Sequence, residues 1–165
     1  MKPPPQDGEA ASVAEEFSPF IIPAYMGADD RRAPGSADDP MADTLPFFSP
    51  KTHGFVGVAA ATPVSHVGDP KANADEHVAL IRQAGDQGVD LMVFPELSLS
   101  AYAIDDLHMQ AALLDEVERQ IAVLARATGD SDLVAVVGAP IRNRDALYNC
   151  AGVVGAGEVV GGVPQ

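Results

Sequence analysis

Three short apolar runs, spaced so that a helix-length segment falls between each pair, constrain the fold of this chain more than any other feature. They are Phe55-Val56-Gly57-Val58-Ala59-Ala60-Ala61, Asp90-Leu91-Met92-Val93-Phe94 and Leu133-Val134-Ala135-Val136-Val137-Gly138. Each has strand length and little polar alternation, the pattern of a strand buried on both faces. Between the first two, Asn73 stands three residues ahead of Glu76, a capping acceptor before an apolar stripe of Ala74, Val78, Ile81 and Ala84. The spacing predicts a helix over 73–87, stopped by Gly88 in a left-handed conformation. Between the second and third runs, Asp105 and Asp106 mark another helix start, and Leu107, Ala111, Leu114, Val117, Ile121 and Leu124 recur every three or four residues up to Gly129. Strand, helix and strand in so short a span make parallel strands joined by right-handed crossovers. Beyond them, residues 146–154 and 158–163 around Gly155-Ala156-Gly157 read as a hairpin. The expected fold class is α/β, with element order β-α-β-α-β-β-β.

The segment ahead of these elements is of another kind. Residues 1–40 hold seven of the 14 prolines and no sustained apolar period, so residues 1–46 read as a disordered, acidic, Pro-rich leader. Its apolar patch, Phe17 to Met26, is interrupted by Pro19 and Pro23 and is the candidate for a short docking motif. Met41 is an alternative start. The whole chain carries a net charge of -14, and -9 remains from Met41 onward; this balance argues against binding a phosphate backbone, so no nucleic-acid partner is expected. A single Cys forms no internal disulfide and excludes multi-cysteine metal sites. No run approaches the roughly 18 apolar residues of a membrane span, and the Pro-rich start is unlike a signal peptide. No membrane partner is expected, and the cytoplasm is the expected location. His53, His66, His77 and His108 are scattered without ligand spacing; they read as surface or structural residues, with no metal site.

In an open α/β sheet, ligands gather at the carboxyl ends of the parallel strands. Glu96 lies just past such an end. A carboxylate held between an apolar strand and a rigid Pro95 is expected to be partly desolvated and suited to taking a proton, so Glu96 is the candidate general base. Read from position alone, a solvated strand-terminal Glu is the plainer alternative.

Phe94-Pro95-Glu96-Leu97-Ser98-Leu99-Ser100-Ala101-Tyr102 resembles the first catalytic motif of the nitrilase (carbon-nitrogen hydrolase) superfamily. His53-Gly54-Phe55-Val56, Gly68-Asp69-Pro70 with Asn73, Ile104-Asp105-Asp106-Leu107, Gln110 to Asp115, Val136 to Pro140 and Leu147-Tyr148-Asn149 extend the likeness in order. Together, over residues 47–165, they resemble the glutaminase domain of bacterial glutamine-dependent NAD+ synthetases. The resemblance implies the first half of an α-β-β-α sandwich. It also implies a Glu-Lys-Cys triad that hydrolyses glutamine to glutamate and ammonia, the ammonia passing to a synthetase domain that uses ATP and Mg2+ to amidate nicotinic acid adenine dinucleotide. No cofactor is implied for this chain itself. Its implied partners are glutamine and, in the parent enzyme, other copies in a homo-oligomer.

Residue by residue, the resemblance makes Glu96 the proton acceptor and places Tyr102 at the glutamine pocket or the ammonia path. Ala101 stands where a Gly usually precedes that Tyr, a position demanding attention if the backbone there needs positive φ. The family Lys follows a Val-Pro-Lys sequence; here the stretch is Val163-Pro164-Gln165, so Gln165 occupies the Lys position. The family's nucleophile elbow has no counterpart in residues 1–165. Cys150, within a strand, reads as a core thiol rather than a substitute nucleophile. The isolated chain is therefore expected to be inactive, with one sheet face uncovered and prone to self-association. Three readings stay open: a glutaminase segment of an NAD+ synthetase, a non-catalytic remnant that associates with a full-length homologue, and a segment of a stand-alone amidase.

Overall fold

A computed structural model describes residues 50–165 and the backbone of residues 21–25. From Gly57 onward the elements follow the expected order: β2 (Gly57–Ala61), α1 (Pro70–Asp86), β3 (Leu91–Val93), α2 (Ala111–Ala127), β4 (Val134–Asn143), β5 (Ala146–Gly155) and β6 (Glu158–Pro164). Strands β2, β3 and β4 run parallel, with α1 and α2 as the crossovers, and β4, β5 and β6 form an antiparallel meander. The remaining strand, β1 (Ile21–Tyr25), pairs antiparallel with the outer edge of β2 and completes a six-stranded sheet. Backbone groups along an open edge are satisfied by any extended segment that reaches them. At this stretch the chain departs from the expectation of an unstructured leader. The rest of residues 1–46, with Met41 and most of the Phe17 to Met26 patch, lies outside the described residues.

The cap of helix α1 lies four residues earlier than the pattern at Asn73 predicts, and the helix starts at Pro70 rather than at 73. Asp69 is the cap, its Oδ1 accepting from the Ala72 N–H at 3.0 Å, and Pro70 takes the first helical position, where its missing N–H costs nothing. Asn73 is instead a fully buried clamp inside the first turn. Its Oδ1 accepts from the His66 N–H at 2.7 Å, and its Nδ2 donates to the carbonyls of His66 (2.8 Å) and Leu99 (3.1 Å). The far end behaves as expected: Gly88 sits at φ +71°, just past the cap. Helix α2 also begins away from its expected start. Asp105 and Asp106 belong to a separate 3-10 turn, Asp105–Met109, and the extended backbone of Gln110 (φ -80°, ψ 123°) breaks it from α2.

Helices α1 and α2 pack side by side over one face of the sheet. Alternation along the strands sends Ala59, Ala61, Met92, Ala135, Val137, Ala139 and Val154 into that layer, where they meet Leu80, Ile81, Ala84, Val117 and Leu124, all buried. Strand β4 runs five residues past its expected end and turns into β5 through Arg144, at φ 55°. The β5–β6 turn has Ala156 and Gly157 at φ 52° and 80°, the positive values a two-residue hairpin demands. At the start of the sheet the Asp90 carboxylate accepts from the Gly57 N–H at 2.8 Å and pairs with Lys51 at 2.7 Å. These two donors hold its carboxyl below the usual carboxylate range, Lys51 contributing most.

The opposite face carries Val58, Ala60, Leu91, Val93, Val134, Val136 and Val163, and no α-helix or second sheet covers it among the described residues. Val93 is 44% exposed and Val163 61%. Apolar stripes of this kind drive association. Sedimentation of the 165-residue chain should therefore reveal oligomers that grow with concentration, and Val93→Lys should shift the population toward monomer. Monomeric behaviour across the whole concentration range would refute this. No helix among the described residues is long and apolar enough to cross a membrane.

Candidate active site

Beyond Val93 the chain leaves the sheet in a tight series of turns, and the side chains that precede and follow Glu96 are anchored on the helix side. Phe94 is buried and stacks on the His77 ring of α1, centroids 4.2 Å apart at 18°. Two residues after Glu96, Ser98 lies 2.9 Å from His77 Nε2. The Asn73 carbonyl oxygen, which can only accept, is 2.6 Å from His77 Nδ1. The ring therefore carries its proton on Nδ1, and Nε2 accepts from the Ser98 hydroxyl. Burial pushes the His77 pKa down to about 4, since the surroundings disfavour the imidazolium. His77 is a core histidine, within the structural reading of the four. His108 lies 3.3 Å from Ser100 Oγ, and His66 pairs with Glu76 at 3.4 Å.

The turn itself runs directly over β4. A Cβ at Gly138 would lie 2.4 Å from the Leu97 nitrogen, 2.4 Å from the Pro95 oxygen and 2.8 Å from the Glu96 carbonyl carbon, so only glycine lets the turn sit there. In return, the Leu99 N–H donates to the Gly138 carbonyl at 3.1 Å. Leu97 takes φ 49° and Ala101 φ 71°; the Ala that replaces the expected Gly is thus held in the left-handed region.

This turn brings Glu96 to the uncovered face of the sheet. Gly138 pairs with Ala151 and Pro140 with Asn149, so Asn149 projects from the same face as Gly138. Asn149 Nδ2 donates to Glu96 Oε1 at 2.5 Å and to Gln165 Oε1 at 3.2 Å. The Gln165 N–H in turn donates to the Asn149 carbonyl at 2.9 Å, continuing the β5–β6 ladder. Two residues 69 positions apart in sequence thus meet on one carboxamide. One sequence expectation needs correction: the Glu96 side chain is exposed, not desolvated, because the turn aims it away from the helix-covered core onto the open face.

Tyr102 is 69% exposed and stands outside this hydrogen-bonded group. Cys150 pairs with Ala139 and faces the helices, on the side of the sheet opposite Glu96; it is buried, and burial pushes its thiol pKa up. It is placed as a core residue. Among the described residues no three His, Cys, Asp or Glu side chains are grouped to hold a metal ion. Motif reading missed Asn149, His77 and Gly138 as parts of the site. Asn149 and Gly138 were visible within the resembling stretches Leu147-Tyr148-Asn149 and Val136 to Pro140, and His77 as a structural histidine, all without a role at the site.

Comparison with known proteins places this geometry. Residues 56–163 match the family model described as carbon-nitrogen hydrolase. The chain is 46% identical over 119 residues to the glutamine-dependent NAD(+) synthetase of Mycobacterium tuberculosis, covering 72% of this chain and 18% of that protein. To the corresponding Mycobacterium leprae synthetase it is 41% identical over 121 residues, again 18% of the relative's length. The chain therefore spans under a fifth of the length of these relatives. Among solved structures, the glutamine-dependent NAD+ synthetase from Acinetobacter baumannii, in complex with ADP, superposes with a TM-score of 0.61 at 31% identity, over 66% of this chain and 20% of that one. An amidase from Nesterenkonia superposes at 0.55 with 21% identity, over 66% of this chain and 41% of that one, a likeness of fold alone. With a family match across residues 56–163 and the strand-end Glu96 placed on a nitrilase-like sheet, the chain belongs to the carbon-nitrogen hydrolase family.

Proposed function

We propose that the chain is the segment of a glutamine-hydrolysing NAD+ synthetase that supplies the general base of the glutaminase site. The observation that carries this reading is the meeting of Glu96 and Gln165, the positions matching the family's Glu and Lys, on the Asn149 carboxamide. In the complete site, a thiolate attacks the carboxamide carbon of glutamine and the C–N bond breaks. Ammonia leaves with a proton relayed by Glu96. Water then cleaves the thioester, Glu96 taking its proton and returning one to the thiol as glutamate departs. Tyr102 lines the glutamine pocket or the ammonia path. The ammonia serves an ATP- and Mg2+-dependent amidation of nicotinic acid adenine dinucleotide elsewhere in the parent protein, which works as a homo-oligomer.

Gln165 departs from this chemistry. A neutral carboxamide offers no full positive charge to steady an oxyanion or a neighbouring carboxylate. The 165-residue chain is accordingly proposed to be inactive: incubated with glutamine, it should release no ammonia above background, and Gln165→Lys should not change that, because the nucleophile lies in no residue from 1 to 165. The decisive experiment is a chimera in which residues 50–164 replace the matching stretch of the M. tuberculosis synthetase, which then supplies its own residues from the Lys position onward. The chimera should hydrolyse glutamine, and Glu96→Ala should lower kcat by at least about a hundredfold, the lower range for losing a general base. Unchanged turnover in that variant would overturn the assignment.

A further inference from the structure

The Glu96 carboxylate has two oxygens, and the protein treats them differently. Only Oε1 receives the Asn149 Nδ2 hydrogen bond. A carboxylate accepts and does not donate, so the atom of Asn149 that faces it must be the nitrogen. That fixes the orientation of the carboxamide: both Nδ2 protons are committed, one to Glu96 and one to Gln165 Oε1, and Oδ1 is turned inward, where it is buried without a protein partner. A buried acceptor left so is unfavourable for folding. Asn149 therefore holds an orientation that serves its neighbours and not its own solvation.

We propose that Asn149 is the positioning residue of the site: it anchors Oε1 of Glu96, leaves Oε2 as the oxygen that picks up and returns the proton, and sets the distance between the base and residue 165. This deepens the glutaminase reading and rests on it. Strand geometry supports it, because the Asn149 backbone carbonyl also accepts from the Gln165 N–H. One residue thus locks the partner by its main chain and steers the base by its side chain. Oε1, engaged by a donor, is the poorer site for a proton than Oε2.

Asn149→Leu separates positioning from a structural role. Leu has nearly the same shape, and removes the inward-facing Oδ1 along with the donor. For a positioning residue the folding equilibrium constant of the full 165-residue chain should stay within about threefold of wild type or rise, since both polar ends go together. In nitrogen-15 spectra of that chain, the Asn149 side-chain amide pair, assigned by its loss in Asn149→Leu, should have one proton shifted downfield. That shift should vanish in Glu96→Ala, while Gln165→Ala moves the other proton. An amide pair indifferent to Glu96→Ala, or an Asn149→Leu variant whose folding constant falls more than about tenfold, would overturn the proposal. Failure of the glutaminase reading would look different: the chimera would keep its turnover without Glu96, whatever the amide spectrum reports.

Discussion

Gly138→Ala should cost the chain about 3 kcal/mol or more of stability and dislodge the turn that carries Glu96. The added methyl would fall 2.4 Å from both the Leu97 nitrogen and the Pro95 oxygen. Both are backbone atoms, so no flexible side-chain end can swing away, and the turn must lift off β4 as a unit. Lifting it breaks the hydrogen bond from the Leu99 N–H to the Gly138 carbonyl, and draws Glu96 away from Asn149. Overpacking of about 1–3 kcal/mol adds to about 1–3 kcal/mol for a buried backbone group left unpaired. Gly161→Ala is the matched control, a strand glycine with nothing within 4 Å of its added Cβ. Denaturant titrations should therefore find Gly161→Ala within about 0.5 kcal/mol of wild type, and Gly138→Ala far below it. Equal midpoints for the two variants would mean that the close crossing of turn and strand is not real.

The contrast between these glycines indicates which parts of the fold were legible in the sequence. Periodicity carries the strands and helices, because burial on one face or two imposes a repeat that local composition must obey. It placed β2, β3 and the two helices and ordered the β4–β6 meander. Element starts were harder, since neighbouring signals compete: Asp69-Pro70 and Asn73 both look like helix starts, and the cap goes to Asp69 because Pro70 is already shaped for the first turn. Asn73 is then free to clamp the His66 backbone, a role no local pattern encodes. Glu96 was visible from its place past a strand end and again through motif resemblance, Tyr102 and the Gln165 substitution through resemblance alone. That Asn149 would join the first and last of these depends on β4–β5 and β5–β6 register, which is set by pairing across the sheet. The exposure of Glu96 was missed for the same reason: the face onto which the turn aims it is a tertiary property.

Acidification should weaken the fold through His77 alone by about 2 kcal/mol between pH 7 and pH 5. Burial holds the folded-state pKa at about 4, below the 6.5 of an ordinary imidazole. Between these values the unfolded chain binds a proton that the folded chain refuses, so stability rises with pH across the window and is lost as pH falls through it. The loss begins near 6.5, and about 3 kcal/mol is gone by pH 4, where the folded ring also protonates. Discounting for solvent is slight, because His77 is fully buried beneath Phe94 and Ser98. Protonation would also turn Nε2 from acceptor into donor, facing the hydroxyl that now donates to it, and so strike at the segment that holds Glu96. His77→Gln removes the titrating ring. In that variant the difference in unfolding free energy between pH 7 and pH 5 should shrink by about 2 kcal/mol relative to wild type, even though the variant is less stable at both. An identical pH slope in the two proteins would place the acid sensitivity in the carboxylates, and would mean that the ring beneath Phe94 is far better solvated than its burial indicates.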